Sequence, residues 1–532
     1  MSVLSSDELK ASYEYKKSSD GSITLTKYIG TAEDVVIPTY AVLRGKICSI
    51  ESIGWFTFYG CGSVRSVTIP NTVRTIGMQA FRGCRSLTSV SIPASVESID
   101  PLVFLGCDSL TGFSVDEGNT VYCAIDGTLV RRSGMELIRY PPGRGDAAYT
   151  IPDCIQAIGN SAFDGCRALT SVKIPDSVRS IGENAFYRCT SMESIAIPAT
   201  VQSIGSCAFQ GCSSLRGITV SEDSPSYRSA DGVLFDRDSK ILIQYPPGRK
   251  DTSYRIPETV ESVMDYAFAG CAALESIGFS DSVRNIGKEA FLGCPSLRDI
   301  GFGDAEIAIG EGAFRDCTSL VDVTVTDSVR SVEEGAFGGC TSLRSFEVTE
   351  GNRMFNAIDG VLFDRSGRTV FQYPPAKTDS EFTVGKGWIL DGALCGCPNL
   401  ESIRVPEGHV FYRSADGVLF DLKMRKLVQY PAGKKDVEYA IPDSVEEIGV
   451  RAFSGCGNLK RIKIPDSVKK LGWYAFEGCT SLESVRIPDS VEDLGYRTFE
   501  NCTSLRDVEI TDRGYVNEFI FEGCPVLEAG KD

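Results

Sequence analysis

An aromatic residue followed three positions later by cysteine recurs along this chain with a dominant step of 23 residues, from Phe58/Cys61 and Phe81/Cys84 to Phe499/Cys502 and Phe521/Cys524. Fifteen such units align, and in one of them, Leu394/Cys397, an aliphatic side chain replaces the ring. A unit this short cannot enclose a core of its own, so each must bury its apolar face against the units before and after it. The 532 residues therefore read as one stacked solenoid rather than as several separate domains.

Each unit is legible in the same way. In the segment Leu87–Pro93, Val90 and Ile92 alternate with Ser89 and Ser91, the period of two that turns one face of a strand inward. Proline closes most of these strands (Pro70, Pro93, Pro175, Pro198, Pro465, Pro488), where its missing N–H costs no ladder bond. A second apolar set such as Val178, Ile181 and Phe186, with Gly182 at the corner, plugs the opposite wall. The leader to about residue 47, with a hairpin expected around Asp20-Gly21, is read as the N-terminal cap.

Four times the step stretches to admit a shared module: "YCAIDGTLVRRSGMELIRYPPGRGD" at 122, "YRSADGVLFDRDSKILIQYPPGRKD" at 227, "FNAIDGVLFDRSGRTVFQYPPAKTD" at 355 and "YRSADGVLFDLKMRKLVQYPAGKKD" at 412. Two β-rich runs such as "GVLFD" and "KILIQY" across a polar bend predict a hairpin that replaces part of a unit and keeps the register. The expected layout is a cap at 1–47 and repeats at 48–118, 151–223, 256–351, 384–408 and 441–532, the last ending in a degenerate turn. Modules occupy 119–150, 224–255, 352–383 and 409–440.

The combination of "IPxSVxxIGxxAFxGCxSL" units with interleaved "DGVLF…YPxGKxD" modules resembles the BspA-like leucine-rich repeat proteins, over roughly residues 35 to 524. The resemblance implies a solenoid repeat: a right-handed, curved leucine-rich repeat with a parallel β-sheet on one face. Short strands, turns or helical loops form the other face, and β-hairpins are inserted. It implies no enzyme, and a protein or glycan partner met in adhesion to host matrix proteins, other microbes or epithelial cells, at a cell surface or after secretion. It transfers no ligand, because the shared residues are those that pack.

Composition narrows the partner. Seventy-one acidic against 54 basic side chains leave a formal charge of −17, the wrong sign for nucleic acid or an anionic bilayer. No apolar run approaches the length that spans a membrane, and the N-terminal stretch carries no charged region followed by an apolar one, so neither export signal nor anchor is expected. Fifteen of the 20 cysteines recur at one repeat position, so stacking spaces them about 5 Å apart, within reach of disulfides. Parallel side chains of identical units point the same way, and a thiol fills a tight corner well. A buried row of reduced thiols, suited to a reducing setting, is the expectation ahead of disulfides, with zinc less suited still.

No catalytic, cofactor or metal residue is assigned, and no cofactor is expected. His409, the one histidine, reads as a solvated loop residue. The Arg144-Gly145-Asp146 tripeptide is explained by the module, whose other copies read "GRKD", "AKTD" and "GKKD". Information is left to the solvent side of the strands, where packing does not fix identity. There Lys173, Arg404, Arg461, Lys463 and Arg486 are the candidate binding residues, the last three forming a basic island beside Asp507 and Glu509. A contrasting expectation is an intracellular scaffold without extracellular ligand.

Overall fold

The computed structural model describes residues 3–510, 520–521 and 523–525. The expected degenerate last turn thus lies partly outside the described residues. Two compact units divide the chain, one running to Asp238 and including Tyr245–Arg249, the other comprising Ser239–Gln244 and the chain from Lys250 onward. Both are parallel-strand solenoids of stacked coils with very little helix.

The alternation read from the sequence sets the strands. In the first unit Asp34–Val36, Ser66–Thr68, Ser89–Ile92 and Gly112–Val115 pair side by side in parallel, with Val35, Val67, Val90 and Phe113 in one buried row. A second parallel row follows with Ala148–Thr150, Ser171–Lys173, Ser194–Ile197 and Gly217–Val220. On another wall, two-residue strands such as Ser180–Ile181 and Ser203–Ile204 pair in the same register. The second unit repeats the plan in Glu438–Ala440, Arg461–Lys463, Ser484–Ile487 and Asp507–Ile510.

Because the register advances by one coil at a time, like residues lie over like. Phe58 and Phe81 stack at 5.0 Å between ring centres and Phe81 on Phe104 at 5.7 Å; in the second unit Phe453, Phe476 and Phe499 stack at 4.9 Å. These rings are excluded from solvent, each contributing about 1.5–3 kcal/mol of burial. At the N-terminus the column is closed by the hairpin Tyr13–Lys17/Ile23–Tyr28, whose Tyr28 ring stacks on Phe58 at 5.0 Å. A short helix missed in the sequence, Ser6–Ser12, precedes it, fixed by a reciprocal Ser5–Glu8 capping box.

The cysteines occupy the position beside this column. Cys84 Sγ donates to the Phe58 carbonyl at 3.2 Å, Cys189 to Phe163 at 3.1 Å, Cys294 to Phe268 at 3.1 Å and Cys479 to Phe453 at 3.1 Å. Each thiol thus bonds the coil beneath it, combining an apolar surface with one weak donor. That pairing explains why this small residue recurs.

The modules differ from the single hairpin that the sequence suggests. Tyr122–Ile125, Thr128–Arg131 and Glu136–Arg139 form a three-stranded antiparallel meander. The extra strand exists because Asp126 and Gly127 both adopt positive φ, 49° and 69°, the two-residue turn that joins twisted strands. The third strand then pairs in parallel with Ala157–Ile158 of the next coil. Tyr140 enters the aromatic column in place of phenylalanine, 5.3 Å from Phe163, and Tyr430 does the same 5.1 Å from Phe453.

One feature of the second unit departs from simple stacking. Arg315 is buried where it pairs with Glu477, and Arg451 Nη1 lies 2.7 Å from Glu477 Oε2. Tyr474 lies between both guanidiniums, 4.4 Å and 4.3 Å from its ring centre. The coil carrying Phe314 is thereby clasped to the coils carrying Phe453 and Phe476. Beside it, burial, aided by Asp391, raises the Glu334 carboxyl to about 7.

Candidate binding surface

Strand alternation positions the surface: Val172, Ile462 and Val485 are buried while their neighbours project outward. Lys173 ends the strand Ser171–Lys173 in the first unit, in register with Thr150 and Ala196. It is exposed and, among the described residues, forms no ion pair.

The remaining four lie in the second unit. Arg461 and Lys463 share a strand, and since Ile462 faces Val485 across the ladder, Arg486 neighbours Lys463. The structure thus assembles three cations on adjacent strands and places Arg404 on the separate strand Ser402–Arg404. Of their partners, Glu509 is the one that the sequence already sets beside the island. Arg404 Nε lies 2.5 Å from Glu381, Arg461 Nη2 2.6 Å from Glu438, and Arg486 Nη1 3.2 Å from Asp466, with Glu509 at 3.8 Å from its Nε. Lys463 forms no ion pair among the described residues. For Glu381 and Glu438 the signal is the repeat step itself, since each sits one coil from its cation, as Glu509 does. Such exposed pairs contribute about 0–1 kcal/mol, so a ligand can exchange for them cheaply.

The Arg-Gly-Asp tripeptide is engaged within its own module. Arg144 Nε pairs with Asp146 at 2.8 Å, Arg144 Nη1 donates to the Asp126 carbonyl at 2.6 Å, and the Tyr140 hydroxyl donates to Asp146 at 2.7 Å. Lys377 and Lys434 repeat the arrangement with Asp359 and Asp379, and with Asp416 and Asp436.

His409 is not the solvated loop residue that the sequence suggested. Its Nδ1 accepts the backbone N–H groups of Phe411 and Tyr412 at 3.2 and 3.1 Å, and its Nε2 meets the Gly385 carbonyl at 2.8 Å. With Nδ1 accepting, Nε2 is the ring nitrogen that donates to the carbonyl. In two other modules asparagine does this work. Asn119 Oδ1 accepts from Val121 and Tyr122 while its amide donates to Pro93 and Val96, and Asn352 does likewise with Met354, Phe355, Thr326 and Val329. His409 is a structural bracket.

The buried thiols of the row are poor nucleophiles. Burial pushes Cys107, Cys166 and Cys212 up to about 12, keeping them protonated at neutral pH. In the first unit a shallow groove of about 620 Å³ is lined by Tyr40, Thr72, Arg74, Ser95 and Glu97, among others. Its charges are spent internally: Arg74 pairs with Glu97 at 2.7 Å and Glu51 at 3.7 Å.

Comparison with known proteins adds a family. The BspA type leucine rich repeat region, in six copies, matches residues 47–124, 147–231, 249–366 and 435–529. No curated protein matches the chain. Among solved structures it is similar to a leucine rich cell surface protein from Faecalibacterium prausnitzii A2-165, at 27% identity and a TM-score of 0.43, covering 75% of this chain and 94% of that one. It is also similar to the pneumococcal vaccine antigen PcpA, at 16% identity and a TM-score of 0.41, covering 94% and 99%. A leucine-rich repeat protein from Eubacterium ventriosum ATCC 27560 shares 17% identity with a TM-score of 0.32, covering 96% of each chain.

Proposed function

The chain belongs to the BspA-type leucine-rich repeat family, and from that premise we propose that it is a non-enzymatic binding solenoid whose strand face and inserted modules engage a protein or glycan, in the manner of an adhesin. One observation carries the reading: interior positions such as the Phe column and the thiol row repeat almost unchanged, whereas the exposed strand positions change from coil to coil. A solenoid that only had to stack has no need of that variety. The basic island of Arg461, Lys463 and Arg486, in a chain of net charge −17, is the strand-face site proposed to meet an acidic partner, with Arg404 and Lys173 as outlying contacts.

The test is biolayer interferometry of the purified protein against immobilised fibronectin, fibrinogen, laminin and a panel of host glycans. Saturable binding that falls in a Lys463→Glu/Arg486→Glu variant supports the strand face. No binding to any of them overturns the adhesin reading. A scaffold within the cell is favoured by the buried, protonated thiols, which suit a reducing compartment. Surface labelling of the native cells separates the two: a labelled protein removes the scaffold, and recovery from the cytosol alone removes the adhesin.

A further inference from the structure

The chain breaks its own rule once. Between the third and fourth modules the corner segment that elsewhere reads "IPDSVEEIG" becomes "VGKGWILDG", so that Gly385-Lys386-Gly387-Trp388 replaces the proline, the buried valine plug and their neighbours. The plug is given up and an indole appears at the surface. Trp388 is 54% exposed, and its ring lies 3.9 Å from that of Phe411, tilted by 31°. The protein's other tryptophans, Trp55 and Trp473, follow a glycine at one shared repeat position three residues before a column phenylalanine. Trp388 has no such counterpart.

The surroundings are built around this departure. Asn119 and Asn352 each reach two carbonyls of the coil beneath, whereas the shortened segment retains only the first of them, at Gly385. The longer ring of His409 spans to it at 2.8 Å and at the same time holds the backbone of Phe411 and Tyr412. One side chain therefore ties the backbone that carries Phe411 to the segment that leads into Trp388. Gly387 is required because a Cβ there would come within 2.3 Å of the Arg368 carbonyl oxygen. That close approach sets Arg368 beside the tryptophan.

The rim has a definite chemistry. Lys386 and Arg368 are exposed and, among the described residues, neither forms an ion pair. Asp364, the carboxylate that feels the Arg368 charge, is occupied by the Ser366 hydroxyl and the backbone N–H groups of Arg368 and Thr369. Exposed Val410 and Leu422 flank Phe411, the Leu422 N–H donating to its carbonyl. An indole backed by Phe411, with two exposed cationic residues on the segments that adjoin it, fits a flat, partly apolar anion.

We propose that Trp388, Lys386 and Arg368 form a binding site for an anionic pyranose, the terminal acidic or sulfated sugar of a host glycan. The C–H face of the ring lies on the indole and its carboxylate or sulfate meets the two cations. The proposal deepens the binding function proposed above and rests on it, while using a surface separate from the strand face.

The experiment titrates the full chain with 3′-sialyllactose and with a chondroitin sulfate hexasaccharide, following indole emission and calorimetric heat, with lactose and polyglutamate as controls. Binding of either anionic sugar, weakened about tenfold or more by Trp388→Ala and by the surface variant Lys386→Glu, supports the site. Binding of 3′-sialyllactose shows that a carboxylate suffices, whereas binding of the hexasaccharide alone, which carries both groups, is resolved by repeating the titration with its desulfated form. Trp388→Phe, which keeps an aromatic face, should recover part of the affinity. Binding unchanged in Lys386→Glu and Trp388→Ala overturns the proposal, as does binding of polyglutamate without either sugar. If a matrix protein binds and only Lys463→Glu/Arg486→Glu abolishes it, this site falls while the binding solenoid stands. If the wild type binds no glycan and no matrix protein, both fall.

Discussion

The guanidinium of Arg315 lies 4.4 Å from the ring centre of Tyr474, although the two residues belong to coils far apart in the repeat order. Neither is a packing residue of the repeat, and both are buried. Their meeting requires an interior that is satisfied by charge, with Glu477 serving Arg315 and Arg451 together.

Removing the shared carboxylate should therefore be severe. Glu477→Ala leaves two buried guanidiniums short of a counter-charge, and a loss of about 3–5 kcal/mol is expected in denaturant melts. Glu483→Ala, which breaks the half-exposed pair with Lys460 at 3.2 Å, should cost under about 1 kcal/mol. Equal effects would contradict the clasp.

The same region gives a pH dependence. The Glu334 carboxyl, normally near 4.5, is raised to about 7 by burial and by Asp391 and Glu311, against the opposing pull of Arg451 and Lys426. Between those values the folded chain keeps a proton that the unfolded chain has released. The contribution of Glu334 is thus fully present below about 4.5 and is lost as pH rises through 7. Glu334→Gln should raise the melting temperature at pH 8, leave it nearly unchanged at pH 5, and flatten the profile between them.

Thiol chemistry checks the row of cysteines. In native protein a maleimide should label exposed Cys154, while Cys479 and its buried equivalents react only after unfolding. Cys479→Asp, which sets a carboxylate where a thiol donates to the Phe453 carbonyl, should destabilise by several kcal/mol, about 3 or more, and Cys479→Ala by less.

His409→Asn should be tolerated at its two backbone N–H contacts, because asparagine holds that place in two other modules, whereas His409→Ala strands both donors. A loss of about 1–3 kcal/mol is expected for alanine, read as faster amide exchange at Phe411 and Tyr412.

How far the sequence reaches follows from what is periodic. The strands, the Phe column and the thiol row were legible because each coil repeats one set of short-range choices, so Val67 announces Val90 and Phe58 announces Phe81. The modules were half legible. The later polar stretch signals one bend, but Asp126-Gly127 is itself a hairpin turn, and it adds a strand before the two β-rich runs. The cations of the strand face and Glu509 beside them were legible, whereas Glu381 and Glu438 needed the coil register to be applied to charge as well as to packing. Arg315, Tyr474 and the bracket of His409 have no periodic precursor, since each depends on a meeting of coils that no local pattern encodes.

The uniform register has a consequence for how such a chain changes over generations. Tyr149, Val172 and Ile195 stand in one row on successive strands, so a gene that lost the segment encoding the middle coil would set Ile195 on Tyr149 with the same ladder. Unequal recombination can therefore lengthen or shorten most of the solenoid without any new interface having to evolve. The coil between Val384 and Leu394 is exempt: His409 reaches back to Gly385, and a deletion there would separate two residues that only make sense together. Copy number is free to drift in rows of plain coils, whereas that coil must be inherited with its module, and the coils from Arg315 to Glu477 are counted by the clasp that joins their ends.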